Sequence, residues 1–200
     1  MVEIQQLKGF NSVGKNKRKK QIVLTHTSRN VSDYILSLKH RYNGKYDKIP
    51  HFLIKKDGRV LQMMDPSFYS NYLDSEHQNK SSIIISLENL GWLKKNPLNK
   101  SYVNWIGDIY KEGIYERKWR GHFFWEPYTD AQMESLLELS LYLCEMFSVP
   151  PTCIGHNVKL DGIEKFEGIV TRSNFTTEST DLSPAFNFDY FKKILENEPV

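Results

Sequence analysis

The sequence predicts one α/β domain in which a mixed central β-sheet is flanked by helices. Apolar, β-branched runs at residues 22–27 and 82–89 are typical of buried strands, and residues 51–64 read as a hairpin. Helical repeats of apolar residues follow the first strand and begin again at residue 129. With 40% hydrophobic content in 200 residues and no linker rich in Pro, Gly or Ser, the chain can bury one sizeable core.

The first strand is predicted at residues 22–27, where five of six side chains are β-branched or Leu and the remaining one is His26. Asn30 is placed to cap a helix whose apolar residues repeat near every 3.6 positions. This helix should end near Asn43 and Gly44.

Three further strands are predicted, two from a hairpin turn and one from an apolar run. Asp57-Gly58 joins the two halves of the 51–64 hairpin, because Gly tolerates the positive φ of a tight turn. Residues 82–89 suggest a central strand covered on both faces. On that strand Ser86 and Glu88 are two apart, so they share a face.

Residues 90–128 have a different character and read as an aromatic-rich insertion. All four tryptophans lie there, among tyrosines, phenylalanines and basic residues: Trp92, Trp105, Trp119 and Trp125. Two interpretations stay open. The rings can pack among themselves as a subdomain, or they can form a groove wall that stacks on a sugar or peptide.

The last third of the chain predicts two helices around a strand. Thr129 and Gln132 have capping-box spacing before an apolar stripe that reaches Phe147, so this stripe is a core-facing helix. Pro150-Pro151 ends it, and a strand is expected at residues 153–156. A short amphipathic helix is predicted at residues 188–195.

Charge and cysteines limit the functional classes only loosely. Residues 15–20 contribute most to the net charge of +3. They belong to a predicted basic arm at residues 1–20, which is either a solvated segment or a segment that binds an anionic polymer. Cys144 and Cys153 lack the spacing of a zinc motif and read as buried thiols. No signal peptide or membrane-length apolar run is visible, so we expect synthesis in the cytoplasm.

Three residues suggest a metal centre. His26 and His156 each follow an apolar run predicted as a strand, and Asp181 stands beside a turn fixed by Pro184. Two imidazoles and one carboxylate leave a fourth tetrahedral position for water, which is typical of catalytic zinc. Asp161 is a rival third ligand because it is five residues from His156.

The order of several short motifs resembles the zinc-dependent type 2 N-acetylmuramoyl-L-alanine amidases, a family that includes AmpD enzymes, phage lysozyme-amidases and peptidoglycan recognition proteins. The motifs are a strand ending in His, then His-Phe-Leu-Ile-x-x-Asp-Gly-x-Val, Ile-Ser-Leu-Glu-Asn, Tyr-Thr-Asp-Ala-Gln-Met, Gly-His and Thr-Asp-x-x-Pro-Ala-Phe. The resemblance covers residues 20–195 apart from the insertion. It implies the family's mixed sheet, with zinc on His26, His156 and Asp181.

The resemblance also implies a reaction, namely hydrolysis of the amide between N-acetylmuramic acid and L-Ala of the stem peptide by a zinc-activated water. The chain departs from the family pattern where members carry a catalytic Glu or Tyr and a Lys, since it has Ser86, Pro50 and Ser179 there. Glu88 is then the candidate proton-handling residue. Arg172 or Lys165 is a candidate for the missing cation.

Two functions therefore stay open at this stage. One is an active peptidoglycan amidase, in particular a phage or prophage lysis or tail-associated enzyme that reaches the wall after release or in a virion. The other is a catalytically impaired module that binds bacterial peptidoglycan on the same fold. Neither function calls for nucleic acid as a partner.

Overall fold

The computed structural model describes residues 3–99 and 101–197, which form thirteen β-strands and four α-helices. The strands are β1 (Ile4–Gln6), β2 (Gly14–Lys15), β3 (Gln21–His26), β4 (Phe52–Ile54), β5 (Val60–Gln62), β6 (Phe68–Tyr69), β7 (Ser82–Leu87), β8 (Trp92–Lys95), β9 (Tyr102–Val103), β10 (Ile109–Tyr110), β11 (Tyr115–Trp119), β12 (His122–Trp125) and β13 (Gly168–Thr171). The α-helices are α1 (Val31–His40), α2 (Glu76–Ser81), α3 (Asp130–Phe147) and α4 (Phe188–Asn197).

Six strands form the central sheet in the order β1-β5-β4-β7-β3-β13. Strands β4 and β5 are antiparallel, whereas every other neighbouring pair in this sheet is parallel. The predicted mixed sheet is therefore confirmed. Every residue of β3 and β7 is buried, as expected for central strands covered on both faces.

Helices cover both faces of this sheet. On one face, α3 and α4 pack on alternate strand residues, so that Leu136 and Phe191 join Ile85 in one apolar cluster. On the other face, α1 places Tyr34 and Leu38 against Leu53. Since successive strand residues point to opposite faces, the short strands contribute to both layers of the core.

Local sequence signals place the hairpin and the helix starts where predicted. Gly58 has φ 84° in the β4–β5 turn, and the side chain of Asn30 accepts the amide N–H of Asp33 at the start of α1. Thr129 and Gln132 form the predicted capping box of α3. The α1 helix itself ends at His40, and a 3₁₀ turn continues to Gly44.

Residues 1–20 were predicted to be a basic arm. From residue 4 onwards this segment packs against the domain. Strand β1 extends the central sheet beside β5, and β2 pairs with β6. The ammonium of Lys19 is buried and donates to the carbonyl oxygens of Phe68 and Ser82. Residues 1, 2, 100 and 198–200, including the first two of the predicted arm, lie outside the described residues.

The prediction of a strand at residues 153–156 is wrong. Only Cys153 makes a bridge, to Ile169, and β13 occupies the place next to β3 instead. The physical reason is local, because prolines at 150 and 151 lack amide hydrogens and Gly155 has φ 75°, which ends an extended segment.

The aromatic insertion forms a second sheet of five antiparallel strands in the order β10-β9-β8-β12-β11. Leu93 and Tyr110 are buried in it, with Tyr102 and Phe124 packed beside them. Several other apolar side chains stay exposed, including Trp105 and Phe123. Among the helices of the described residues, none is long and apolar enough to cross a membrane.

Candidate functional site

The carboxyl end of the central sheet carries the candidate site. Strands β3, β7 and β13 run parallel and end at the same edge, where His26 is the last residue of β3. A pocket of about 290 Å³ opens there, lined in part by His26, Asp181, Arg172 and Trp105. Such an edge is where α/β sheets commonly bind ligands.

The structure brings together His26 and Asp181, two of the three residues predicted as metal ligands. Nε2 of His26 lies 3.0 Å from Oδ1 of Asp181, and both residues are buried. The other carboxylate oxygen of Asp181 accepts the hydroxyl of Thr25. Nε2 of His26 has no well-aligned hydrogen-bond partner among the described residues.

Tyr128, which the sequence did not single out, orients the His26 ring. Its hydroxyl lies 3.0 Å from Nδ1 of His26, while the amide N–H of Ser183 donates to the same oxygen over 3.4 Å. Burial lowers the pKa of the His26 imidazole, Asp181 opposes this shift, and Arg172 adds to it. This shift favours the neutral imidazole, whose Nδ1 can accept the hydroxyl of Tyr128.

Arg172 provides the cation nearest to this pair. It follows β13 directly, and its Nη1 lies 3.7 Å from Oδ2 of Asp181. The guanidinium also lies over the ring of Tyr72, 5.7 Å from its centroid. Lys165, the other candidate cation from the sequence, is exposed in a 3₁₀ turn.

His156 is not gathered into the pocket in this arrangement. Its Nδ1 accepts the amide N–H of Val158 at 3.2 Å, and its carbonyl oxygen accepts the side chain of Asn174. The rival ligand Asp161 is exposed. Within residues 3–99 and 101–197, no three His, Cys, Asp or Glu side chains stand close enough to hold one metal ion.

Glu88 is buried, and both of its carboxylate oxygens are engaged by backbone amides. Oε1 accepts the N–H of Val31 at 2.9 Å, and Oε2 accepts the N–H of Lys56 at 3.1 Å. These contacts join the start of α1 to the β4–β5 hairpin. Ser86, which the sequence resemblance sets where family members carry a glutamate, has a buried hydroxyl without a well-aligned hydrogen-bond partner in the described part of the chain.

Besides Tyr128, Trp105 and Arg120 connect the insertion to the site. Trp105 lines the pocket, and its Nε1 donates to the carbonyl oxygen of Ser28 at 2.9 Å. Arg120 lies in the tight turn between β11 and β12, and its guanidinium donates to the carbonyl oxygens of Thr176, Ser179 and Ser173. Arg120 therefore holds the segment that leads to Asp181. Only the dipeptide Arg120-Gly121, a tight-turn signal, marks this contact in the sequence.

A family model described as N-acetylmuramoyl-L-alanine amidase matches residues 15–168. The chain belongs to the N-acetylmuramoyl-L-alanine amidase family. The resemblance seen in the sequence is thereby confirmed. A search of curated proteins finds no match.

Solved structures of amidases share the fold. The N-acetylmuramoyl-L-alanine amidase LysC from Clostridium intestinale URNW has a TM-score of 0.60 at 16% identity, over 99% of this chain and 100% of that one. AmiD from E. coli, solved with anhydro-N-acetylmuramic acid-L-Ala-D-γ-Glu-L-Lys, has a TM-score of 0.56 at 15% identity, over 92% and 59%. The Ph2119 endolysin of a Thermus scotoductus MAT2119 bacteriophage has a TM-score of 0.52 at 13% identity, over 96% and 97%.

The amidase family resemblance implies zinc on His26, His156 and Asp181, and the donors present do not fit that ion as they are arranged. His26 and Asp181 supply two donors side by side. The third, His156, is engaged elsewhere, and the guanidinium of Arg172 stands beside Asp181 in its place. A cation beside a ligand carboxylate opposes the binding of a second cation.

Proposed function

We propose that this chain recognises peptidoglycan by binding the stem peptide, next to N-acetylmuramic acid, in the pocket of His26 and Asp181. Family membership supports the substrate class. The observation that carries the proposal is the pocket itself, because it combines a fixed polar pair at the sheet edge with the indole of Trp105 from the insertion. An aromatic wall beside a few directed polar groups suits a sugar-linked peptide.

The charges around the pocket support an acidic ligand. Four basic residues line it, namely Arg29, Arg41, Lys48 and Arg172, whereas Asp181 is the one acidic side chain among the described lining residues. Stem peptides carry free carboxylates, as the D-γ-Glu in the ligand of AmiD illustrates. A positively charged pocket attracts and orients such groups.

A second candidate function is hydrolysis of the muramoyl-L-Ala amide with zinc on His26, His156 and Asp181 and Glu88 as the base. This is the function of a phage or prophage endolysin or tail-associated enzyme. The spacing of His26 and Asp181 favours it, since two ligands of one tetrahedral zinc lie about 3.3 Å apart. It requires His156 to turn inward and Glu88 to give up two backbone amides.

Purified cell walls distinguish the two functions. The wild-type chain and His26→Ala are incubated with walls, and free L-Ala amino groups, reducing ends and sedimented protein are measured. We expect the wild type to sediment with walls more than His26→Ala does, without new amino groups. New amino groups without reducing ends would establish the amidase, and absence of both sedimentation and cleavage would reject the proposal.

A further inference from the structure

Strand pairing puts Arg172 next to the candidate ligands. Strand β13 pairs with β3 in parallel, with Thr171 opposite Leu24, so Arg172 leaves the end of β13 where β3 continues to Thr25. Thr25 and His26 are the two β3 residues that contact the carboxylate of Asp181. Arg172 thus enters the site from the strand adjacent to His26.

The segment that leads to His156 lies one strand further out. Cys153 bridges Ile169 of β13, so β13 stands between this segment and β3. Asn157, the residue after His156, donates to the carbonyl oxygen of Leu182 beside Asp181, yet no three possible ligand side chains of the described residues stand close enough to share one ion. The ring of His156 also has a local partner in the amide of Val158.

Asp181 needs a positive partner because its carboxylate is buried. Arg172 provides one at 3.7 Å, while Thr25 donates a hydroxyl to the same oxygen. A zinc ion bound to Asp181 would lie close to this guanidinium in a buried site, where two positive charges repel strongly.

We propose that the guanidinium of Arg172 takes the place of a metal ion, so that the site binds its ligand without zinc. It balances the charge of Asp181 as a metal would, and the other oxygen of that carboxylate lies 3.0 Å from Nε2 of His26. The side chain of Arg172 is 35% exposed, so N–H donors remain for the pocket. A guanidinium has five such donors in a planar fork, which matches a carboxylate or a peptide carbonyl of the ligand.

The identity of the ligand rests on the proposed function, whereas zinc binding can be measured without any ligand. Purified wild type, His156→Ala, Arg172→His and Arg41→His are each dialysed against equimolar zinc and analysed for metal content and by zinc calorimetry. Arg41→His is the matched control, because Arg41 lines the same pocket and its guanidinium donates to Tyr46.

We expect no stoichiometric zinc in the wild type, His156→Ala or Arg41→His. Arg172→His removes the cation and adds an imidazole beside His26 and Asp181, so it should hold one zinc at least about 100-fold more tightly than the wild type. One zinc per wild-type chain that is lost in His156→Ala would overturn the proposal, as would a folded Arg172→His that binds none. If Arg172→His does not fold, the zinc content of the wild type and of His156→Ala tests the proposal. Stoichiometric zinc in the wild type would contradict it, and the absence of zinc from both proteins would support it.

Discussion

The hydroxyl of Tyr128 lies 3.0 Å from Nδ1 of His26 and joins the end of the aromatic insertion to the end of strand β3. Tyr128 stands just before the cap of α3, so one hydrogen bond connects the insertion, the helix and the candidate site. The ring of Tyr128 packs on Phe186, which belongs to the core beneath Asp181. His26 is thus oriented through Nδ1, while its Nε2 lies near the carboxylate of Asp181.

Tyr128→Phe removes this oxygen and leaves Nδ1 of the buried imidazole without a donor. We expect the free energy of unfolding to fall by about 1–3 kcal/mol, the usual cost of an unsatisfied buried polar atom. Urea denaturation measures the change. Tyr142→Phe, at an exposed position of α3, is the control and should be neutral. Equal stability of both variants would show that the hydrogen bond contributes nothing.

Arg120→Ala should loosen the segment before Asp181. The variant removes the guanidinium donor from the carbonyl oxygens of Ser173, Thr176 and Ser179, and among the described residues only that of Ser179 keeps a further side-chain donor, the hydroxyl of Ser173. Amide hydrogen exchange in residues 173–181 should accelerate by about tenfold or more, because local opening becomes easier. Arg117→Ala, exposed on the same hairpin, should leave these rates unchanged. Protection that persists in Arg120→Ala would mean that the segment is held by other contacts.

Glu88→Gln distinguishes two possible roles of the Glu88 carboxylate, a structural hydrogen-bond acceptor and a catalytic base. An amide has one acceptor oxygen, so one of the N–H groups of Val31 and Lys56 loses its partner. We expect a loss of about 1–3 kcal/mol in unfolding free energy, with wall binding retained. Unchanged stability combined with a fall of about 100-fold in wall hydrolysis would instead identify Glu88 as the proton-handling group.

Acid should destabilise the protein through His51. Its Nδ1 accepts the amide of Ile84, Nε2 donates to Phe68, and burial lowers its pKa to about 3. Because the unfolded chain takes up this proton near pH 6.5 and the folded chain does not, stability is full above pH 6.5 and is lost as the pH falls toward 3. The pKa of His26 is lowered by burial too and acts in the same direction.

The slope from one such histidine approaches about 1.4 kcal/mol per pH unit. Urea denaturation between pH 7.5 and 4 measures it. His51→Gln, which keeps a donor and an acceptor but cannot titrate, should show a shallower slope than the wild type. If the unfolding free energies of both proteins had the same pH dependence, His51 would not be the cause of the acid destabilisation.

Local chemistry explains what the sequence predicted well. Asp57-Gly58 forms a hairpin turn because Gly accepts positive φ, and Thr129 with Gln132 caps a helix through contacts three residues apart. His26 and Asp181 could be grouped as candidate ligands because each stands in a recognisable motif, His26 at the end of a strand and Asp181 before Pro184.

Features that depend on strand order could not be predicted in the same way. Gly168–Thr171 is a strand of four residues inside a polar stretch, and nothing local shows that it, rather than the segment at Cys153, lies beside β3. That choice decides whether Arg172 or His156 comes next to Asp181. Arg120 was missed for the same reason, because its contacts join residues more than fifty positions apart.

The most direct measurement is calorimetric titration of a soluble muramoyl tripeptide into the metal-free protein in EDTA. We expect binding that addition of zinc leaves unchanged. Trp105→Ala, which removes the aromatic side chain from the pocket wall, should weaken this binding by about tenfold. Phe123→Ala, exposed on the insertion and absent from the described lining of the pocket, should bind as the wild type does. No binding in EDTA, or binding that appears only when zinc is restored, would contradict recognition by a metal-free pocket.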